Sequence, residues 1–362
     1  MGTLRAGLIG LPSTGKTTLF HLLTRGTSGS SAGKFGRADA QIGVAAVPDE
    51  RLDRLTALYE PKKHVPATVT FADIVGSAST SALVNLTAYR EADALLHVVR
   101  AFDADDVPHP DGSIDAGRDV RKVEDELILA DLVVAEKRLD RISRDQKKGV
   151  GQDLDREAKL LDRCRERLES GRPIRGLELD AADNKILRGF QFLSAKPLLL
   201  VLNVDEATVG SAEWASAVAP LEESLDQTGA QAVVVCAKIE LEIAQLEPSD
   251  AEVFLRDLGL DRPGLDRVIQ AAYGLLGYIS FFTVGKDECR AWSIPTRTMA
   301  QHAAGEIHSD IERGFIRAEV VSHERLLERG SLATCREHGE VRLEGKEYIV
   351  QDGDVINFRF AT

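Results

Sequence analysis

One stretch, Gly10-Leu-Pro-Ser-Thr-Gly-Lys16-Thr-Thr18, restricts the possible folds of this chain more than any other. It follows a short apolar run, Leu4 to Ile9, that reads as a strand. It precedes Thr17 to Leu23, which read as the first turns of a helix. The stretch fits G-x-x-x-x-G-K-[ST] in full, and each part has a physical task. Glycines let backbone N–H groups turn inward toward phosphate oxygens. Leu11, Pro12, Ser13, Thr14, Gly15, Lys16, Thr17 and Thr18 are therefore expected to wrap a nucleotide's phosphates. Lys16 offers a point charge to the β and γ phosphates, and Thr17 offers a hydroxyl to Mg²⁺. The helix that starts there adds the positive end of its dipole.

Such a loop belongs on a parallel sheet, and the chain supplies the strands. Runs at 67–76, 94–102, 197–204 and 230–237 are apolar throughout and rich in β-branched residues. Strands buried on both faces look like this, and their alternation with helical patterns predicts a doubly wound α/β domain. Between the runs at 94–102 and 197–204 the chain turns highly charged. Val120, Val123, Leu127, Ala130 and Val134 form one apolar seam, and Leu154, Ala158, Leu161, Cys164 and Leu168 form a second. Two narrow seams around "DQKKGVGQD" predict an antiparallel helical hairpin. After Tyr278 come short strand-like runs at 279–285, 288–294, 316–322, 346–351 and 355–361, with one helix expected across 298–314. This tail predicts a small α+β module.

Two more elements bear on nucleotide chemistry. Asp73-Ile-Val-Gly76 ends a buried run with the form D-x-x-G. Asp73 is placed to hold Mg²⁺ through water, and the Gly76 N–H to face a γ phosphate. The run at 197–204 leads into Asn203-Val204-Asp205-Glu206, where a guanine reader would have N-K-x-D. The lysine is missing and the carboxylate is that of Glu206, which favours adenine at Asn203, Val204 and Glu206 and leaves GTP as the alternative. "CAKIE", Cys236–Glu240, ends another strand where a further base-contacting loop is expected.

A net charge of −13 argues against coating nucleic acid, which needs many cationic phosphate contacts. The four cysteines are isolated, so no zinc or dithiol motif is expected. No run is long enough to span a bilayer and no secretory signal is recognised, so a cytoplasmic protein without membrane contact is expected.

In this order the residues resemble the YchF family of Obg-like ATPases. The segments that carry the resemblance are "GLPSTGKTTLF", "VPDERLDRL", "DIVG", "READALLHVVRAF", "NVDE" and "CAKIELEIAQL". C-terminal to these, "AAYGLLGYISFFTVGKDECRAW", "HSDIERGFIRAEVVS" and "RLEGKEYIVQDGDVINFRF" are similar to the family's TGS domain. The resemblance implies a P-loop G domain at 1–117 and 196–277, a helical coiled-coil insertion at 118–195 and a TGS domain at 278–362. It implies ATP hydrolysis with Mg²⁺ in preference to GTP, and association with ribosomes through the coiled-coil and TGS parts. No sequence-specific DNA partner is implied, and a monomer is expected. A family histidine that helps position the attacking water corresponds to His109, while His97, inside a strand, reads as a core residue.

The chain also departs from the family pattern. Arg37 stands where the first switch carries a magnesium-binding threonine. The Gly-rich segment after D-x-x-G is replaced by a shorter "SASTSALVNLTAY". Ser13 replaces the asparagine linked to potassium-assisted hydrolysis. These changes lead to an expectation of a slow ATPase switch, with a nucleotide-binding scaffold that has lost hydrolysis as the alternative. A dedicated RNA-binding protein is less favoured, because the tail has few basic–aromatic clusters.

Overall fold

The computed structural model describes residues 4–25, 31–35, 38–74, 86–104, 107–147, 154–211, 214, 216–222, 225 and 229–361. Gly76, Arg37 and the stretch 77–85 lie outside these residues. The first sheet has seven strands in the order β2-β3-β5-β1-β6-β7-β8. They are β1 Arg5–Ile9, β2 Ser31–Phe35, β3 Ala38–Ala46, β5 Thr68–Ile74, β6 Ala94–Ala101, β7 Leu198–Val204 and β8 Gln231–Val235. β4, Lys63–Val65, belongs to a second sheet. All five apolar runs read from the sequence are strands. β1 pairs in parallel with β5 and β6, β6 with β7 and β7 with β8, while β2 and β3 are antiparallel. Every residue of β7 is buried, as expected of a strand covered on both faces. Construction runs outward from β1 in both directions, so the crevice at its carboxyl end is a topological switch point. The glycine-bounded loop sits at that crevice.

The helices of the first half are α1 Lys16–Leu23, α2 Glu50–Tyr59 and α3 Leu86–Tyr89. Asp49 caps α2 by accepting the Arg51 N–H at 3.0 Å. The charged segment forms α4 Ala116–Lys147 and α5 Asp155–Glu169, followed by α6 Ala181–Arg188. The seam of α4 differs from the one read in the sequence. Val120, Val123 and Leu127 join the core of the parallel sheet with Val99, Leu202 and Leu221. Ile128, Ala135 and Ile142 instead pack with Leu161, Cys164 and Leu168 of α5. Ala130 and Val134, expected inside, are half-buried. A straight α-helix drifts about 20° per heptad against a fixed seam, so a 32-residue helix that serves two partners must change stripe along its length.

Buried ion pairs brace the root of the hairpin. Asp131, fully buried, accepts Arg90 Nη1 at 3.1 Å and the Ser194 N–H at 2.7 Å. Arg175 Nη1 meets Glu124 Oε2 at 2.8 Å with both side chains buried. Lys196 Nζ donates to the carbonyls of Arg90 at 2.8 Å and Ala92 at 2.5 Å.

Helices α7 Ala237–Ile243, α8 Pro248–Asp257 and α9 Gly264–Leu275 follow β8. The second sheet has the order β12-β11-β13-β9-β10-β4, with β9 Tyr278–Thr283, β10 Glu288–Pro295, β11 Phe315–Ser322, β12 Arg342–Glu344 and β13 Asp354–Phe360. Its helices are α10 Ala300–Ile307, α11 Ser309–Arg313, α12 His323–Arg329 and α13 Leu332–Glu337. Phe281, Trp292, Ile294, Phe315 and Phe358 form its core around Ala300, Ala303 and Ala304 of α10. The small alanine side chains allow that helix close to the sheet.

Two expectations for the tail are corrected. The helix across 298–314 breaks at His308, which is extended at φ −164° and caps α11 through its ring. The run 346–351 is no strand: within it Ile349 forms an isolated bridge to Met299, and the strand lies earlier, at 342–344. The chain divides into two compact units, one of 5–44 and 70–272, the other of 1–4, 45–69 and 273–362. Among the described residues no helix is long and apolar enough to cross a membrane.

Candidate nucleotide-binding site

β1 delivers the chain into the loop at Gly10, whose φ is +147°. A Cβ there would stand 2.4 Å from the Val98 carbonyl oxygen, so only glycine fits. Ser13 and Gly15 both take positive φ, 62° and 92°, and α1 starts at Lys16. Ser13 and Thr17 are exposed on the loop, Pro12 and Thr18 half-buried, and Leu11 and Thr14 buried. Lys16 is 8% exposed and its Nζ donates to the carbonyls of Gly10 at 3.1 Å and Leu11 at 2.7 Å. Burial pushes the Lys16 ammonium below its ordinary value, and Asp73 partly restores it. Thr17 Oγ1 donates to Asp73 Oδ2 at 2.8 Å. The two groups assigned to magnesium from the sequence, 56 residues apart, thus meet at the loop.

Beside the loop opens a cleft of about 480 Å³ whose walls include Gly15, Thr18, Phe102, Asn203, Glu206 and Lys238. Val204 and Ala237 also line it. Asn203, 5% exposed, is a strut across its floor. Its Nδ2 donates to the Thr14 carbonyl at 3.1 Å and its Oδ1 accepts the Ala237 N–H at 3.0 Å. Asn203 therefore ties the phosphate loop to the start of α7. A Cβ on Gly15 would stand 2.6 Å from Asn203 Nδ2, so that contact also requires glycine. Asp205 is occupied in its own turn, accepting the Thr208 N–H and hydroxyl at 2.9 and 2.8 Å. Glu206 lines the cleft together with Asp103 and Asp205, and Lys238 Nζ pairs with Glu206.

The chain is similar to known proteins along nearly its whole length. It is 44% identical over 363 residues to the Ribosome-binding ATPase YchF of Bacillus subtilis (strain 168), with 99% of each chain covered. The chain belongs to the YchF family. The protein of the same name in Escherichia coli O157:H7 is 38% identical over 364 residues, covering 98% of this chain and 99% of that one. The family model YchF-GTPase_C, described as a protein of unknown function (DUF933), matches residues 278–361. The solved structure of the Schizosaccharomyces pombe YchF GTPase matches with a TM-score of 0.87 at 29% identity, covering 99% of this chain and 98% of that chain. The fold class expected from the sequence holds for this YchF-family chain: a P-loop α/β domain, a helical hairpin insertion and a terminal α+β part.

Within this YchF-family chain, His109 is not among the walls of the cleft. Its side chain is 4% exposed and its Nε2 lies 2.9 Å from Asp119 Oδ2 near the start of α4. Nδ1 accepts the Asp111 N–H at 3.1 Å, which places the proton on Nε2, facing Asp119. Arg118 Nε holds the other oxygen of Asp119 at 3.0 Å. His97 is 1% exposed, and burial pushes its imidazole down to about 3, as suits a neutral core residue. Among the described residues no group of three or more His, Cys, Asp or Glu is arranged to hold a metal.

Sequence reasoning passed over Phe102 and Arg100, and held Lys238 only as part of the expected base-contacting loop Cys236–Glu240. The guanidinium of Arg100, 1% exposed, lies 4.7 Å from the Phe102 ring centroid. It donates to the carbonyls of Phe102 at 3.1 Å and Val107 at 2.8 Å, and so fixes the wall that Phe102 forms. An arginine inside an otherwise apolar strand was the available signal.

Glu240 of α7 gives the site a pH signature. It is 3% exposed, and burial pushes its carboxyl up to about 6 against the pull of N–H groups at Gly264 and Leu265. The folded value lies above the ordinary 4.5, so this contribution to stability is complete below about 4.5 and lost as pH rises through about 6. The loss amounts to about 2 kcal/mol by pH 7. Glu240→Gln is expected to flatten the stability profile by that amount, read by urea unfolding at pH 4.5 and 7. Parallel profiles for the two proteins would refute the assignment.

Proposed function

We propose that this chain is a slow magnesium-dependent ATPase that acts as a conformational switch on ribosomes. The observation that carries the reading is the loop 10–18 at the switch point of the sheet, with the Thr17 hydroxyl on the Asp73 carboxylate. A hydroxyl and a carboxylate are hard oxygen donors, the set Mg²⁺ takes when phosphates complete its shell. Thr17 and Asp73 would hold the ion, which supplies neutralisation of charge on the β and γ oxygens.

Backbone N–H groups from Ser13 to Thr18 grip the phosphates, with Leu11 and Pro12 shaping the loop, and Lys16 trades its bonds to Gly10 and Leu11 for bonds to β and γ oxygens. The Gly76 N–H is assigned to the γ phosphate. Asn203 sets the height of the floor, while Val204 and Glu206 face the adenine. Both ring nitrogens of His109 are engaged, so alignment of water by His109 requires release of its bond to Asp119. That requirement supports low turnover. It also favours a second reading, a nucleotide-binding scaffold without hydrolysis, should the release never occur.

The body at 1–117 and 196–277 is assigned to the nucleotide, and the hairpin at 118–195 and the part at 278–362 to ribosome contact. The relatives bear the name Ribosome-binding ATPase, which supports ATP as the nucleotide, the ribosome as the partner and a cytoplasmic protein; the monomer is proposed alongside. Calorimetric titration with ATP and GTP in Mg²⁺, followed by ribosome co-sedimentation with and without nucleotide, tests the reading. ATP is expected to bind more tightly and to change the ribosome-bound fraction. Tight GTP binding with no response to ATP would refute the base assignment.

A further inference from the structure

We infer that Lys238 sets the base preference of the cleft by pairing with Glu206. The inference rests on the nucleotide reading above and deepens it. Glu206 comes from the turn after β7 and Lys238 from the first turn of α7, and both line the cleft beside Asn203. Lys238 Nζ donates to Glu206 Oε2. The pair is fixed from below: Asn203 Oδ1 holds the N–H of Ala237, the residue before Lys238, at 3.0 Å. The hydrogen bond to Glu206 also raises the affinity of the Lys238 amine for its proton.

The chemistry of the two purine edges decides the rest. Guanine presents two adjacent donors, N1–H and the N2 amino group, and a free carboxylate accepts both. Adenine presents one donor, the N6 amino group, beside one acceptor, N1. An ammonium held on one oxygen of a carboxylate competes with a base donor for that oxygen and leaves the other fully available. The ammonium itself still has donors to give. The Lys238–Glu206 pair therefore still offers adenine one acceptor beside one donor; guanine's O6 and N1–H can meet the same pair, but its two donors no longer find a free carboxylate to accept both, which is the contact that favours guanine. Asp205, the other carboxylate in the turn, binds the backbone and hydroxyl of Thr208. Asp205 also lines the cleft, with Oδ1 committed to Thr208, while Glu206 is the carboxylate of this turn that Lys238 engages, so Lys238 governs how freely Glu206 accepts from a base.

Both side chains are substantially exposed, 68% for Lys238 and 44% for Glu206. An exposed pair acts weakly, so a change in the affinity ratio of about fivefold is expected rather than a complete switch. The test is titration of the full-length chain with the β,γ-imido analogues of ATP and GTP in Mg²⁺, for the native chain, Lys238→Ala and Lys238→Arg. Lys238→Ala should move the ATP:GTP affinity ratio toward GTP by about fivefold, and Lys238→Arg should keep the native ratio. An unchanged ratio in Lys238→Ala, or an equal loss for both analogues, would overturn the role of Lys238 while leaving the ATP assignment intact. A native chain that prefers the GTP analogue would instead overturn the assignment on which the inference stands.

Discussion

Lys16→Ala is expected to weaken ATP binding about 10- to 100-fold, the range for losing hydrogen bonds to charged groups. Any hydrolysis should fall a further 10²- to 10³-fold, as when a preorganised donor to transition-state charge is removed. The variant should nevertheless fold. Lys16 is buried at a desolvation cost that lowers its affinity for the proton, and its bonds to the Gly10 and Leu11 carbonyls offset that cost. Removing the ammonium deletes both terms, so the melting temperature should shift little. A calorimetric titration with ATP and a single-turnover assay, each beside a thermal melt, separate the effects. Native-like ATP affinity in a folded Lys16→Ala protein would show that the phosphates bind elsewhere.

Asp131→Ala should have the largest effect on stability. Its carboxylate is fully buried, with Arg90 Nη1 on one oxygen and the Ser194 N–H on the other. Truncation removes the counter-charge of Arg90, whose side chain is 15% exposed and keeps its bond to the Gln191 carbonyl at 3.0 Å, and leaves a buried backbone donor unpaired. Removing one partner of such a pair costs about 3–5 kcal/mol. Asp131→Asn keeps an oxygen for the Ser194 N–H and should lose less. Urea unfolding measures both, with ATP titration of the folded protein as the second readout. Because Asp131 lies at the hairpin root and touches no residue of the phosphate loop, nucleotide affinity should stay native. A loss under 1 kcal/mol in Asp131→Ala would show that water already satisfies these groups.

Legibility in the sequence followed the range of each interaction. The five buried strands announced themselves through unbroken apolar runs, and the phosphate loop through its spacing. The three-residue β12 has too few positions to show alternation, and the apolar run at 346–351 imitated a strand while forming one isolated bridge. The seam of α4 was read as one stripe: Ala130 and Val134 do pack at the edges of the two cores, but a periodic pattern does not reveal that the helix changes partner from sheet to α5 after Leu127. Asn203 read as a base contact in the sequence, and its bonds to Thr14 and Ala237 could not be read there, because both partners are distant in the chain. Lys238 could not be read as Glu206's partner across 32 residues.

The sequence by itself determined the strand–loop–helix around Lys16, the parallel sheet and the family. These follow from local glycine conformations and from side chains that cannot remain in water, both of which are properties of neighbouring residues. Only the tertiary structure decided that Thr17 meets Asp73, that Asn203 is a strut, that His109 is tied to Asp119 and that Glu206 carries Lys238. Each of those is a directional contact between distant segments, and its geometry exists only once the strands have fixed where their ends lie.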